Sequence, residues 1–453
     1  MDHSIEKVDT KDFPLISYAA KHWMVHARFP DVSSHIWDGI DLLFDKEKPH
    51  FATWVGIHNI DHRYLSRSDT PEECQPFPLY YAALCGIGGL VERLFTAHPQ
   101  DPDAADGYYG APLNAALVQG YLDIAQLLLD HGAVGKNMGG HDQTGLYIAS
   151  SRGYANVVRS LIDRGANLNA RCTDCDTDCG DQVWTPLHAA IYNDHPDIVV
   201  LLLEGGADPE TRSSEDQTAL SMASSRGRAN IVRSLIDRGA DLNAKSKDKH
   251  QKSYYVQGAP LFMAIEEEYR DIVLLLLEGG ADTEVWNSYQ KTPLYMASCF
   301  GPADIVRQLI SHGADLNAES EFGYTALHGA SSDGRPEILR ILLEHGANPN
   351  ALTHSGRTAL HLAEEATVVE LLLEYGANVD VRDNERWTPL HHAADMLNLQ
   401  VLVALLGRGA DPHAETNMGE TPFQLANAPY EWASKKDQAQ VIQLLSERTG
   451  ECV

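Results

Sequence analysis

The sequence predicts an all-α solenoid, and three internal regularities predict it. Ser150–Ala170 and Ser224–Ala244 agree at 18 of 21 positions with an offset of 74 residues, and Pro196–Thr211 returns as Arg270–Val285 at the same offset. A short opening, Thr185-Pro-Leu-His188, recurs as Thr325–His328, Thr358–His361 and Thr388–His391, with looser copies starting at Ala111, Thr144, Thr218, Ala259, Thr292 and Thr421. From Thr144 onward the starts are 41, 33, 41, 33, 33, 33, 30 and 33 residues apart. An apolar run ending in Gly-Ala closes each unit, from Gly132-Ala133 to Gly409-Ala410. Stacked units of this kind touch only their neighbours, and their function lies on an extended surface.

Each piece of the unit has a physical task. The Thr accepts a hydrogen bond as helix N-cap, and Pro follows where no amide donor is needed. Leu and Ala face the next unit, the small Ala allowing close approach. The run Ile198, Val199, Leu201, Leu202, Leu203 is the buried stripe of a second helix. The Gly then ends that helix in a left-handed cap. The histidine of the opening is expected to tie the turn through internal hydrogen bonds rather than act on a substrate or metal. A 33-residue period with Thr-Pro-Leu-His resembles the ankyrin repeat, which implies a helix pair and a hairpin finger per unit. Residues 76–453 are expected to hold ten to eleven such repeats.

Residues 1–75 lack the period and are rich in aromatics, including Phe13, Trp23, Trp37 and Trp54. Pro14 opens one expected helix, reaching about Arg28, and Ser33 or Ser34 caps a second. Together they predict a helical cap over the first repeat's apolar flank. The run Phe13–Arg28 also resembles the segment preceding the ankyrin array in filamentous-fungal NACHT–ankyrin, NLR-like proteins. The chain departs from that family in having no G-x-x-x-x-G-K-[ST] motif, so no nucleotide switch carries over.

Composition narrows the function. The net charge is −29, from 64 acidic and 35 basic side chains, which repels nucleic acid and anionic lipid. The Met1–Lys11 leader is polar, no long apolar span follows, and seven cysteines show no framework spacing. A reducing cytoplasmic setting is expected, with the nucleus left open.

Two repeats carry eight extra residues at their fingers, near 171–184 and 245–258. The first finger is acidic and holds Cys172, Cys175 and Cys179; the second is basic and runs into Tyr254 and Tyr255. Three thiolates are one ligand short of a structural zinc site, so zinc, a loop disulfide and free thiols all stay open. No cofactor is expected. Deleting the eight inserted residues of the first finger should leave the melting temperature within a few degrees of wild type, because extra loop length costs little closure entropy. A large drop, or one equivalent of zinc in the purified protein, would contradict that expectation.

Ankyrin resemblance implies partner binding by finger tips and the inner faces of the first helices. Counted from each opening Thr, those positions give Arg152, Trp184, Tyr192, Arg226, Tyr255, Tyr289, Lys291, Phe300, Phe322, Tyr324, Arg357 and Trp387. Aromatics with Arg form interface hot spots, and Trp184 and Tyr324 are expected to contribute directly. The leading reading is a non-catalytic recognition or scaffold protein with a protein partner. Two others stand beside it. One is a small-molecule or catalytic site under the long fingers, using Arg226, Asp248, His250, Glu266 and Glu267. The other is an adaptor or sensor subunit of an NLR-like complex.

Overall fold

The computed structural model describes residues 78–97, 101–104, 109–135, 143–174, 182–246, 258–428 and 435–450. The expected cap over residues 1–75, with the Phe13–Arg28 run, lies outside them. The chain divides into two compact units, Met1–Ser214 and Glu215–Val453.

Among the described residues, the first unit holds four helix pairs: α1 (Pro78–Cys85) with α2 (Gly88–Ala97), α3 (Pro112–Gln119) with α4 (Leu122–Asp130), α5 (Gly145–Arg152) with α6 (Ala155–Asp163), and α7 (Pro186–Tyr192) with α8 (Pro196–Glu204). Between α6 and α7 the lengthened finger forms an antiparallel hairpin, β1 (Cys172–Asp174) and β2 (Gln182–Trp184), with Cys172 opposite Trp184.

The second unit continues the pattern: α9 (Ala219–Ser225) with α10 (Ala229–Asp237), α11 (Pro260–Glu266) with α12 (Arg270–Glu278), α13 (Pro293–Phe300) with α14 (Ala303–Ser311), and α15 (Ala326–Ser332) with α16 (Pro336–Glu344). A 3-10 turn (Ala359–Leu362) then pairs with α17 (Ala366–Glu374), α18 (Pro389–Asp395) with α19 (Leu399–Gly407), and α20 (Pro422–Ala426) with α21 (Lys435–Thr449). The 3-10 turn falls in the repeat whose spacing is 30, which has lost the last turn of its first helix.

Within each unit the first, inner helices stack on one another, as do the second, outer helices. The core is the double layer between them, where Ile198, Val199 and Leu202, and their equivalents Ile272, Val273 and Leu276, are essentially fully buried. The last helix, α21, buries Val441 and Leu445, and its Gln438 amide donates to the carbonyls of Ala426 and Ala428 at 2.9 and 2.7 Å.

Local signals do what their chemistry predicts. Thr144, Thr218 and Thr292 accept the backbone N–H three residues on, each at 3.2 Å; such a cap contributes about 1 kcal/mol. Gly280 sits at φ +91°, with its N–H on Leu277 O and that of Ala281 on Leu276 O. A Cβ there would meet nothing within 4 Å, so the requirement for glycine is conformational, not steric.

The repeat ends are more than solvated charge. The N–H of Asp208 donates to Asn169 Oδ1, and that of Asp282 to Asn243 Oδ1, both at 3.0 Å. Asn348 on Asn317 and Asp411 on Asp380 repeat the bond at 3.0 and 2.9 Å. The acidic residues at this position also turn the chain: Asp208 and Asp282 accept from the N–H two residues on, at 2.9 and 2.8 Å.

Candidate partner-binding face

In the second unit the fingers are built by a residue five before each opening Thr. Asn287 Oδ1 accepts from the N–H groups of Tyr289 and Lys291, both at 3.0 Å. Asp383 Oδ1 accepts from Glu385 and Trp387 at 2.9 and 2.8 Å. Ser320 Oγ takes the N–H of Tyr324, and Thr353 Oγ1 that of Arg357, at 3.1 and 3.0 Å. Backbone bonds then join neighbouring fingers: His354 N–H to Phe322 O, Asn384 N–H to Ser355 O and Asn417 N–H to Glu385 O, at 2.9, 3.0 and 3.0 Å.

The histidines of the opening fasten each finger to the next. In His328, His361 and His391, Nδ1 accepts the N–H of the opening Thr at 3.0–3.1 Å. That acceptance fixes the proton on Nε2, which donates to the carbonyls of Arg357, Trp387 and Glu420, each at 3.2 Å. Each acceptor immediately precedes the next opening Thr. Burial, first, holds all three imidazoles below their ordinary pKa, and His361, with His392 also facing it, falls to about 4. These groups are structural, as the sequence implied.

Four large aromatics among the described residues are well exposed: Tyr289 at 46%, Phe300 at 51%, Phe322 at 64% and Tyr375 at 38%. The first three were expected at partner-binding positions, and all three belong to two adjacent repeats. Tyr289 and Phe322 occupy equivalent fingertip positions, three residues before Thr292 and Thr325. Phe300 ends α13. Between them Lys291 lays its ammonium 4.8 Å from the centre of the Tyr295 ring. Tyr324 is half-buried, its ring edge-on to His328 at 5.8 Å.

Further along, Arg357 Nε and His392 Nε2 both reach Asp383 Oδ2 at 3.4 Å. Burial alone would raise the Asp383 carboxyl, but the Trp387 N–H and the His392 contact outweigh it and hold it below its usual range. Trp387 is half-buried against His392, ring centres 5.0 Å apart. Arg357 and Trp387 are therefore partly occupied inside the fold. Arg226, just past the end of α9, is exposed, and Glu266 and Glu267 mark the end of α11.

Cys299 lies beneath this face. Burial, then the neighbouring Asp333 carboxylate, pushes its thiol up to about 12, so it stays protonated at neutral pH. Its Sγ stands where a Cβ on Gly329 would come within 2.6 Å, so the glycine makes the room.

In the first unit Trp184 is only 3% exposed, its ring 4.6 Å from that of Tyr192 and tilted by 42°. The two fill each other's space, so Trp184 is a packing residue of its repeat and offers a partner almost no surface. Arg152 is exposed at the end of α5. Cys172 is fully buried, its Sγ 3.7 Å from Thr144 Oγ1. It points into the repeat interface, toward the opening Thr of the preceding repeat. Cys175, Cys179, Asp248, His250 and Tyr255 lie outside the described residues. Among the described residues no helix is long and apolar enough to cross a membrane.

The finger bonds were not foreseen from the sequence. A visible signal was present: Asn384 and Asn417 stand four before an opening Thr, and each also bonds the preceding finger through its side-chain amide, to His354 O and Asn384 O.

Comparison with known proteins gives one family. The model described as Ankyrin repeats (3 copies) matches residues 79–172, 172–246, 261–353, 313–383, 351–416 and 367–451. Among curated proteins, the chain is 30% identical over 140 residues to azaphilone pigments biosynthesis cluster protein L of Monascus ruber, covering 28% of the chain and 30% of that protein. It is 26% identical over 235 residues to human Rabankyrin-5, covering 46% and 20%. It is 29% identical over 204 residues to the ankyrin repeat domain-containing protein SAT10 of Stachybotrys chartarum, covering 45% and 9%. The matched stretches span less than a third of each relative. Among solved structures, the ankyrin repeat domain of Bcl-3 is 27% identical with a TM-score of 0.43, covering 51% of this chain and 99% of that one.

Proposed function

The chain belongs to the ankyrin-repeat family, and from that membership we propose that it is a non-catalytic recognition protein that binds another protein on its fingers and inner helices. One observation carries the reading: Tyr289, Phe300 and Phe322, three exposed aromatics, are gathered in two adjacent repeats. Large aromatics cost solvation when left open and are the residues most often dominant in interfaces. The fingers that bear them are braced by side-chain and histidine bonds, so little ordering entropy is lost on binding. Lys291, Tyr324, Arg357 and Trp387 form a half-buried surround, and Arg226 of the same unit adds an exposed charge. The net charge of −29 supports a protein partner over nucleic acid or an anionic membrane.

The test is a double substitution, Tyr289→Ala with Phe322→Ala, measured against a partner captured from the native host. Each truncation of a dominant interface aromatic costs about 2 kcal/mol, so the pair should weaken binding several-hundredfold. Both side chains are exposed, so the melting temperature should hardly move. Undiminished binding by the folded double variant would sink the assignment.

A further inference from the structure

Four joints link the repeats opened by Thr292, Thr325, Thr358, Thr388 and Thr421, and the last three are fastened twice at their fingers. A backbone bond crosses each, given by the N–H of His354, Asn384 or Asn417. A histidine Nε2–H, from His328, His361 or His391, reaches the next finger's last carbonyl. Among the described residues the first joint has neither bond. In the same register Glu321 N–H faces Tyr289 O, yet no hydrogen bond engages either group. The histidine position there holds Tyr295, whose hydroxyl is engaged with Cys299. What holds this joint lies away from the fingers: α13 stacks on α15, and the Arg335 guanidinium donates to Cys299 O and Gly301 O at 2.7 Å. The two fingertips can therefore part about a pinned base, and they are the two that bear the exposed Tyr289 and Phe322.

We propose that this joint receives an extended segment of a protein partner, whose main chain takes up the unpaired Glu321 N–H and Tyr289 C=O between the two exposed rings. The proposal rests on the reading of this face as the partner site and adds the form of what enters it. The rings alone would accept any apolar group. A main-chain donor and acceptor in register call for main-chain partners. An extended segment offers them, whereas a helix bonds its own internally. At the three joints that follow, the chain fills the same positions with its own backbone. Each such bond is worth roughly fivefold in affinity.

Glu321 is the second residue of a turn closed by Gly323 N–H on Ser320 O at 2.8 Å, a place that favours proline. Glu321→Pro therefore deletes the donor and keeps the turn, and its melting temperature should match wild type. Glu321→Gln keeps the donor and removes the charge. The probe is a fluorescein-labelled octapeptide, Lys-Thr-Val-Thr-Val-Thr-Val-Lys, titrated by anisotropy with the full chain. Beside it runs the same peptide N-methylated at its central residues, which has the side chains without the donors. The parent peptide should bind with a Kd below about 1 mM. The methylated peptide should bind wild type at least fivefold more weakly, and so should the parent peptide bind Glu321→Pro. Glu321→Gln should alter binding less than twofold, and Tyr289→Ala with Phe322→Ala should weaken it at least tenfold. Amide exchange at Glu321 should be fast in the free chain and slowed by the peptide. No binding of the parent peptide would overturn the proposal. Equal binding of the two peptides, or wild-type binding by Glu321→Pro, would mean that the rings act alone and would overturn it too. So would a Glu321→Pro variant that melts far below wild type, because the amide would then already be bonded within the fold. If the alanine pair loses the captured partner while Glu321→Pro keeps it, the backbone assignment falls and the partner face stands.

Discussion

Lowering the pH from 7 to about 4 is expected to destabilise the second unit by about 3 kcal/mol through His361 alone. The imidazole has an ordinary pKa of 6.5 and is held at about 4 in the fold, first by burial and then by His392 facing it; each tenfold difference in proton affinity is worth about 1.4 kcal/mol. The sign follows from which state binds the proton. Between pH 6.5 and 4 the unfolded chain takes it up and the folded chain refuses it, so stability is full above 6.5 and falls as pH drops. It levels off below about 4, where the folded imidazole protonates as well. His328, His391 and His392 are lowered too and add loss of the same sign. Asp383, also lowered, adds a further loss only at the acid end, below the ordinary carboxylate range. The measurement is urea unfolding at a series of pH values. The chain supplies its own control, because Gln424 performs the capping at Thr421 without a titrating ring, its Oε1 accepting the Thr421 N–H at 3.0 Å. His361→Gln should lower stability at neutral pH and flatten the acid limb. An acid limb parallel to wild type would show that His361 is not its source.

The second large effect belongs to Trp184. Trp184→Ala should cost about 3–5 kcal/mol, the range for emptying a buried large aromatic site. Tyr192 would lose the ring on which it packs, and β2 its main side chain in the core. Trp184→Phe should cost far less, under about 1.5 kcal/mol, because the indole Nε1–H has no hydrogen-bond partner to lose. Chemical unfolding of both variants decides it. Equal stabilities for wild type and the alanine variant would return Trp184 to the exposed surface.

The contrast between Trp184 and Phe322 shows what a sequence offset carries. The period, the threonine caps, the terminal glycines and the structural role of the histidines were all legible, because each follows from one residue's own bonding needs. The offset from an opening Thr also gives the direction in which a side chain leaves the backbone. It does not say whether a neighbour already fills the space. At Trp184 the residue eight positions on is Tyr192, large enough to close over the ring. At Phe322 no such neighbour closes the tip. Cys172 makes a related point: its spacing to Cys175 and Cys179 left zinc, a disulfide and a free thiol open, and only the strand pairing with Trp184 shows it turned into the repeat interface. The backbone bonds between fingers escaped because a main-chain donor carries no residue identity, and the Asn384 and Asn417 amides beside them are their visible mark. Arg335, whose guanidinium donates to Cys299 O and Gly301 O at 2.7 Å, stands where His195 and Asn398 reach Ser151 O and Glu364 O in their own repeats, so no single letter marks the task.

The bonds at the repeat ends bear on how such a chain changes length over generations. Asn169 with Asp208 and Asn243 with Asp282 are the same bond, 74 residues apart and both 3.0 Å long. Acceptor and donor lie 39 residues from each other, well inside the copied stretch. A genetic duplication of that stretch therefore delivers an inter-repeat contact already assembled, with no partner to be found by later mutation. The insert comes ready to stack, and its fingers are then at liberty to diverge. The acidic finger of one copy and the basic finger of the other record that divergence. In an architecture of this kind, recombination supplies surface first, and selection for a ligand can follow without rebuilding the core.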